Sequence, residues 1–178
     1  MKRLKSKCSG NQTLTVKAGR HWPNKLLAPV RSKIVEAEIM FHEDCAEKYT
    51  KPEFNYLNKL FGISPLFMSN HKNSGRHVWK YNADHKRIDI WFYIYLNGVS
   101  PQQNTKQKKY MFTVELKEKF RVKVIDHLNG YSFFKDGKLM AFYKTPLRRN
   151  YRWAYREGLF VGGNYVYDVD IHVDYKIL

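Results

Sequence analysis

The feature that most constrains the fold of this chain is the alternation of side chains over residues 88–96. One face of this segment would carry Ile88, Ile90, Phe92, Ile94 and Leu96, and the opposite face Asp89, Trp91, Tyr93 and Tyr95. A period of two residues is that of a β-strand, in which successive side chains point to opposite faces of a sheet. The same period recurs in residues 33–42 and 166–175, so the chain is predicted to fold mainly as β-strands.

Turn signals separate the predicted strands at short intervals. Asn129-Gly130 and Asp136-Gly137 are dipeptides typical of two-residue hairpins, because they tolerate positive φ. Aromatic residues, which favour pleated sheets, make up 16% of the 178 residues. A near-helical spacing, which predicts one short helix or turn, is confined to Phe54, Leu57, Leu60 and Phe61. We therefore predict an all-β fold, an antiparallel β-sandwich of the jelly-roll type.

The distribution of charge predicts an N-terminal arm. The net charge is +16, and the first acidic residue is Glu36. Nine cationic residues precede it, namely Lys2, Arg3, Lys5, Lys7, Lys17, Arg20, Lys25, Arg31 and Lys33. Prolines, glycines and the lack of a sustained period predict an extended arm over residues 1–32, with one short strand at 13–17, followed by the sandwich domain over 33–178. Such an arm suits an acidic partner, which is nucleic acid, a negatively charged protein surface or an acidic polysaccharide.

The segment from His71 to Trp79 is the densest run of potentially reactive side chains. His71, Arg76 and His77 are residue types that serve as acids, bases or anion stabilisers in lyases acting on acidic sugars. Strand alternation, however, puts both histidines on one face and Arg76 on the other. We therefore favour a structural role for this run over a catalytic one.

Three further groups of residues are candidates for binding. Trp91, Tyr93 and Tyr95 would form an aromatic row able to stack sugar rings or nucleobases, although we favour burial of this row in the core. A second basic patch, which equally suits an acidic partner or a solvated strand edge, contains Arg148, Arg149, Arg152 and Arg156. An acidic stripe, which we interpret as alternating surface charge in preference to a cation site, contains Asp168, Asp170, His172 and Asp174.

Recognised cofactor and catalytic motifs are missing from the sequence. It has no phosphate-binding loop, dinucleotide fingerprint, nucleophile elbow or zinc-protease motif. Its two cysteines, Cys8 and Cys45, lack metal-ligand spacing and are interpreted as free thiols, with a disulfide as the alternative. No stretch approaches the ~20 apolar residues that span a bilayer. We accordingly assign no catalytic residue, metal or cofactor and expect no membrane association.

Four short motifs follow one another along the chain, at 41–45 (FHEDC), 58–62 (NKLFG), 71–76 (HKNSGR) and 160–164 (FVGGN), and the last is followed by Asp170-Ile171-His172. Together they resemble an uncharacterised β-sandwich family of gut Bacteroidetes and their bacteriophages. The likeness covers residues 38–175 and omits the arm. The chain departs from the family at residues 167–170, where Tyr-Asp-Val-Asp replaces the usual Pro-His-Asp. The family's sandwich is similar to the jelly roll of alginate lyases, an analogy of fold alone.

The charge distribution and this resemblance together lead to an expected function. We expect a non-enzymatic bacteriophage structural protein, a capsid-associated or auxiliary virion component made in the host cytoplasm. It would be present in multiple copies, with its arm on capsid or other virion proteins. The first alternative is a module that binds or cleaves acidic polysaccharide with His71, Arg76, His77, Trp91 and Tyr93. The second is nucleic-acid binding by the arm.

Overall fold

The computed structural model describes residues 11–24, 29–46, 57–66, 71–100, 111–148, 150–162 and 166–178. These residues form twelve strands and one 3-10 turn, Glu43–Ala46. The strands are β1 (Gln12–Val16), β2 (Pro29–Val30), β3 (Ile34–Phe41), β4 (Asn58–Pro65), β5 (Asn73–Asn82), β6 (Arg87–Leu96), β7 (Phe112–Val114), β8 (Lys119–Asp126), β9 (Gly130–Lys135), β10 (Lys138–Lys144), β11 (Ala154–Glu157) and β12 (Ile171–Ile177). No helix in the described part of the chain is long and apolar enough to cross a membrane.

The strands form two six-stranded sheets. The order is β1-β12-β3-β8-β9-β10 in the first sheet and β2-β11-β4-β5-β6-β7 in the second. Every named pair of neighbouring strands is antiparallel. The predicted antiparallel jelly-roll sandwich is thus confirmed.

The core lies between the two sheets and follows the alternation seen in the sequence. On β3, the side chains of Val35, Ala37, Ile39 and Phe41 are buried. Ile88, Ile90 and Ile94 of β6 face them from the second sheet with no exposed surface. Phe92 and Leu96 share that face of β6 but are only half-buried.

The boundary predicted at residue 32 is wrong, because parts of the predicted arm are strands of the sandwich. The predicted short strand is present as β1, which pairs with β12 along five residues. Its Leu14 and Val16 are buried in the core. β2 likewise pairs with β11 in the second sheet. Positive charge dominates this part of the sequence, yet two alternating apolar residues suffice to dock an edge strand.

Both predicted hairpins are present, but their turn residues differ from the prediction at one of them. Asp136 and Gly137 have φ of 48° and 80° between β9 and β10, as two-residue hairpins require. In the β8–β9 hairpin, positive φ falls instead on Leu128, at 67°, while Gly130 is the first residue of β9. A Cβ on Gly130 would lie 2.5 Å from the Phe142 ring, so this glycine is needed for close packing.

The short helix or turn predicted at residues 54–61 is wrong in the part of this segment that the structure describes. Asn58–Pro65 form β4, and the register of β4 against β5 shifts between Lys59 and Phe61. This bulge lets the consecutive residues Leu60 and Phe61 both face the core with no exposed surface. Two adjacent inward side chains imitate helical spacing in the sequence.

Candidate ligand-binding site

A buried guanidinium lies on the outer face of the second sheet. The side chain of Arg76, on β5, is 3% exposed. Its Nη1 lies 3.9 Å from Oε2 of Glu157, and its Nε and Nη2 have no hydrogen-bond partner among the residues that the structure describes. Desolvation lowers the pKa of Arg76, and the Glu157 carboxylate opposes that shift. Buried donors without partners are costly, so this position favours an incoming anion.

Gly62 allows Arg76 to lie across the sheet. Gly62 of β4 stands in register with Arg76 on one side and with Glu157 of β11 on the other. A Cβ at Gly62 would lie 2.6 Å from Cγ of Arg76. The guanidinium therefore crosses the bare backbone of β4 toward Glu157, whose Oε1 accepts a hydrogen bond of 2.5 Å from Ser64 Oγ.

Aromatic rings flank the guanidinium on its other side. Arg76 Cζ lies 5.6 Å from the ring centre of Tyr93 and 5.8 Å from that of Tyr95. The Tyr93 hydroxyl donates a 3.0 Å hydrogen bond to that of Tyr95. The exposed His71 ring stacks on Tyr95 with centres 5.0 Å apart and planes 3° apart. We call Arg76, Glu157, Tyr93, Tyr95 and His71 the Arg76 site.

Positive charge extends from this site along β4. Desolvation, followed by the nearby charge of Arg76, lowers the pKa of Lys59 to about 8. The pKa of His71 is also lowered, first by desolvation and then by Arg76 and Lys59. The charge of Arg76 thus acts on both Lys59 and His71, and an anion would relieve the repulsion between Arg76 and Lys59.

The predicted histidine and aromatic residues separate between the two faces of the sheet. His77 faces the core with no exposed surface and lies edge-on to Phe133 at 5.3 Å. His71 precedes β5, so strand alternation does not place it with His77, and it joins Arg76 instead. The row of Trp91, Tyr93 and Tyr95, which we expected in the core, lies on the outer face and is half-buried. Trp91 is paired with Val78, which lies two residues after Arg76 on β5.

The second basic patch is divided among different environments. Arg148 is engaged within the fold, since its Nη2 lies 2.5 Å from Oδ1 of Asp126 and its guanidinium lies 4.2 Å from the Tyr131 ring centre. Arg152 is exposed, Arg156 is half-buried and Arg149 lies outside the described residues. Arg148 therefore neutralises a carboxylate that is 2% exposed.

The predicted arm residues are also divided. Lys17 Nζ lies 2.5 Å from Oδ2 of Asp170, and Lys33 Nζ donates to Oδ1 of Asn150 at 2.5 Å. Arg20 and Arg31 are exposed. The cations that lie outside the described residues are Lys2, Arg3, Lys5, Lys7 and Lys25.

Three of the four residues of the acidic stripe, Asp170, His172 and Asp174, are paired with protein groups. Besides the Asp170–Lys17 pair, Asp174 Oδ1 lies 3.1 Å from His42 Nε2, and His172 Nδ1 lies 2.5 Å from Asp44 Oδ2. The fold thus brings together two motifs of the family resemblance, at 41–45 and 170–172. Within the described ranges, no group of three or more His, Cys, Asp or Glu residues has an arrangement that could hold a metal. Cys45 is a buried free thiol whose pKa is raised, mainly by desolvation, and Cys8 lies outside the described residues.

Sequence reasoning missed several residues of the candidate site. Glu157 comes from β11, far along the sequence from Arg76, whereas Lys59 and Gly62 come from β4, the strand that precedes β5. One available signal was that Glu157 is the sole acidic residue between Asp136 and Asp168, at the end of the basic stretch. A carboxylate surrounded by that many cations is a natural partner for one of them.

These features define a jelly-roll β-sandwich with a cationic, aromatic-lined site on the outer face of one sheet. The alginate lyase AlyC3 has a similar structure, with a TM-score of 0.62 at 12% identity over 97% of this chain and 75% of the lyase. The complex of AlyC3 with dimannuronate gives 0.61 at 11% identity, over 96% and 74%. An alginate lyase from Alteromonas sp. 272 gives 0.51 at 9% identity, over 93% and 86%. At these identities the likeness is one of fold.

Comparisons of sequence add no relatives. No family model matches the chain, and no curated protein matches it. The resemblance to the Bacteroidetes and phage family therefore stays a prediction.

Proposed function

We propose that the protein binds acidic polysaccharide at the Arg76 site, with a sugar carboxylate paired to the Arg76 guanidinium. The observation that carries the proposal is the pair of buried guanidinium nitrogens of Arg76, Nε and Nη2, whose N–H groups have no hydrogen-bond partner among the described residues. Arginine suits planar carboxylates because it offers donors in a fixed fork. The half-buried rings of Tyr93 and Tyr95 beside it offer apolar faces to a sugar ring.

The fold is consistent with such a ligand. Structures of similar fold include an alginate lyase bound to dimannuronate, an acidic disaccharide. Fold likeness raises the expectation of a sugar ligand, whereas the argument for a carboxylate rests on Arg76 and Lys59 of this chain. Nothing in that argument requires bond cleavage, so we propose binding alone.

The expected role in a virion concerns the partner of the N-terminal arm and not the surface around Arg76. It remains a prediction, and it is compatible with a sandwich that recognises an acidic glycan.

Calorimetric titration with mannuronate oligosaccharides tests the proposal. Replacing Arg76 with Gln should lower affinity by roughly ten- to a hundredfold, because a charge-assisted hydrogen bond is lost. The double variant Arg76→Gln/Glu157→Gln avoids leaving Glu157 unpaired and should bind as weakly. Arg152→Gln, which removes an exposed arginine outside the site, should bind like the wild type. Thermal unfolding of each variant verifies that it is folded.

Two further arms of this experiment make it specific for the carboxylate. Oligosaccharides whose carboxyl groups have been reduced to alcohols should bind no better to the wild type than to Arg76→Gln. Affinity should also fall between pH 7 and pH 9, because Lys59, with a pKa of about 8, loses its charge there, and Lys59→Gln should abolish this dependence. Equal binding of native and reduced sugars would refute the proposal.

A further inference from the structure

An exposed, ordered aromatic cluster lies beside the Arg76 site. Trp22 is 54% exposed, and its ring meets that of Phe160 edge-on, with centres 4.7 Å apart. His21 stacks on the Phe160 ring at 5.0 Å and 7°. Lys59 Nζ lies 4.8 Å from the Phe160 ring centre. We call His21, Trp22, Phe160 and Lys59 the Trp22 cluster.

The Trp22 cluster is held in place by hydrogen bonds of the loop that follows β1. His21 Nδ1 is 2.7 Å from the Val161 carbonyl oxygen, and the Val161 amide donates to the His21 carbonyl at 3.0 Å. Asn24 closes the loop, since its amide donates to the Thr15 carbonyl and its Oδ1 accepts from the Thr15 amide. An exposed tryptophan on such a preorganised loop loses little conformational entropy when it binds a ligand.

Lys59 connects the two groups of residues. It pairs through its backbone with Phe160 on one side and with Val78 on β5 on the other. Val78 shares the outer face of β5 with Arg76, two residues away, and the charge of Arg76 acts on Lys59. β6, which carries Tyr93, and the segment that carries Phe160 are three strand spacings apart across the sheet, about 14 Å. A ligand touching both ends must therefore be longer than a disaccharide.

We propose that Trp22 and Phe160 form a second binding subsite, on which one ring of an acidic oligosaccharide stacks while another unit of the same molecule meets Arg76. The inference rests on the proposed function and adds the length of the ligand and the direction in which it lies across the strands. Lys59, between the two subsites, would face the carboxylate of an intervening unit. Aromatic faces suit the C–H surface of a pyranose ring, and the adjacent lysine selects for negative charge.

A length series of mannuronate oligosaccharides tests this arrangement. The wild type should bind a hexamer more tightly than a dimer. Trp22→Ala should weaken hexamer binding by about three- to tenfold, the effect of one lost aromatic contact, and leave dimer binding unchanged. Trp22→Phe should retain most of the hexamer affinity. Phe142→Ala, which removes a similarly exposed aromatic residue from β10 of the other sheet, should leave both affinities at the wild-type value.

Tryptophan fluorescence gives an independent readout. The hexamer, and not the dimer, should change the emission of the wild type through Trp22, and Trp22→Ala should lose this change. Equal losses for dimer and hexamer, or none for either, would overturn the second subsite while the proposed function stands. No binding of either length by the wild type would overturn both. Equally strong binding of a single-stranded hexanucleotide would overturn the assignment to a sugar.

Discussion

Arg76 and His77 are neighbours in the chain, both are almost fully buried, and burial acts on them differently. Desolvation lowers the pKa of Arg76 on the outer face, and Glu157, followed by Tyr93, Tyr95 and Tyr131, offsets part of that shift. His77 faces the core, where desolvation lowers its pKa to about 3 against a weaker opposing effect of the Phe61 backbone. Arg76 is thereby a charged group on the outer face, and His77 is a neutral part of the hydrophobic core.

His77 should make the fold sensitive to acid. Its folded-state pKa of about 3 lies below the ordinary value of 6.5, so protons favour the unfolded chain. Its contribution is constant above pH 6.5 and is lost as pH falls toward 3. Relative to pH 7, the free energy of unfolding should be lower by about 2 kcal/mol at pH 5 because of this one group.

Urea unfolding of the wild type and His77→Leu between pH 7 and pH 4 measures this effect. His77→Leu should flatten the profile, whereas His85→Leu, a change at an exposed turn residue, should leave it as in the wild type. Parallel profiles for the wild type and His77→Leu would show that burial does not lower the pKa of His77.

At the scale of the strands, the sequence predicts those elements that alternate strictly. β3, β6 and β12 were all evident, because each has one face in the core. β4 was hidden by the bulge at residues 59–61, which places Leu60 and Phe61 on the same face. β1 was predicted as a short strand of the arm, but its place in the sandwich was not, because its two inward residues are surrounded by polar residues and precede Lys17. A short edge strand needs only Leu14 and Val16 to dock, and two residues make a weak pattern.

The candidate site was only partly predictable for a related reason. Arg76 and Tyr93 come from neighbouring strands whose faces alternation defines. Glu157 joins them only because β11 pairs with β4 and because Gly62 leaves room for the guanidinium to cross. Pairing between strands almost a hundred residues apart depends on the whole topology, which local periodicity does not contain.

β1 should contribute to stability as a core strand. Leu14 has no exposed surface, so Leu14→Ala should lower the free energy of unfolding by about 2–5 kcal/mol. Leu139→Ala is the matched control, since Leu139 is 52% exposed on β10, the opposite edge of the same sheet, and it should cost less than about 0.5 kcal/mol. Chemical denaturation of both variants decides the matter. A loss below about 1 kcal/mol for Leu14→Ala would show that β1 is an appended arm and not a core strand.

At the scale of the whole molecule, positive charge is present both in the sandwich and in the sequence before it. Of the nine cations that precede Glu36, Lys17 and Lys33 are bonded within the fold. Lys2, Arg3, Lys5 and Lys7 precede β1 and lie outside the described residues. Any tether that can be removed without damage to the core is therefore confined to residues 1–10, and a deletion of residues 1–32 would also remove β1 and β2.

The tether can be tested with two variants of this chain. One lacks residues 1–10, and the other keeps them with Gln in place of Lys2, Arg3, Lys5 and Lys7. Both should unfold at the wild-type temperature, because Leu14 and Val16 remain in the core. If charge attaches the protein to an acidic partner, both should be lost from purified phage particles, where the wild type would be stoichiometric. On duplex DNA, the slope of log affinity against log salt should decrease by about 3 to 4, since each phosphate contact contributes about 0.9. Wild-type attachment and salt dependence in both variants would reject the tether and leave the outer face around Arg76 as the surface through which the protein acts.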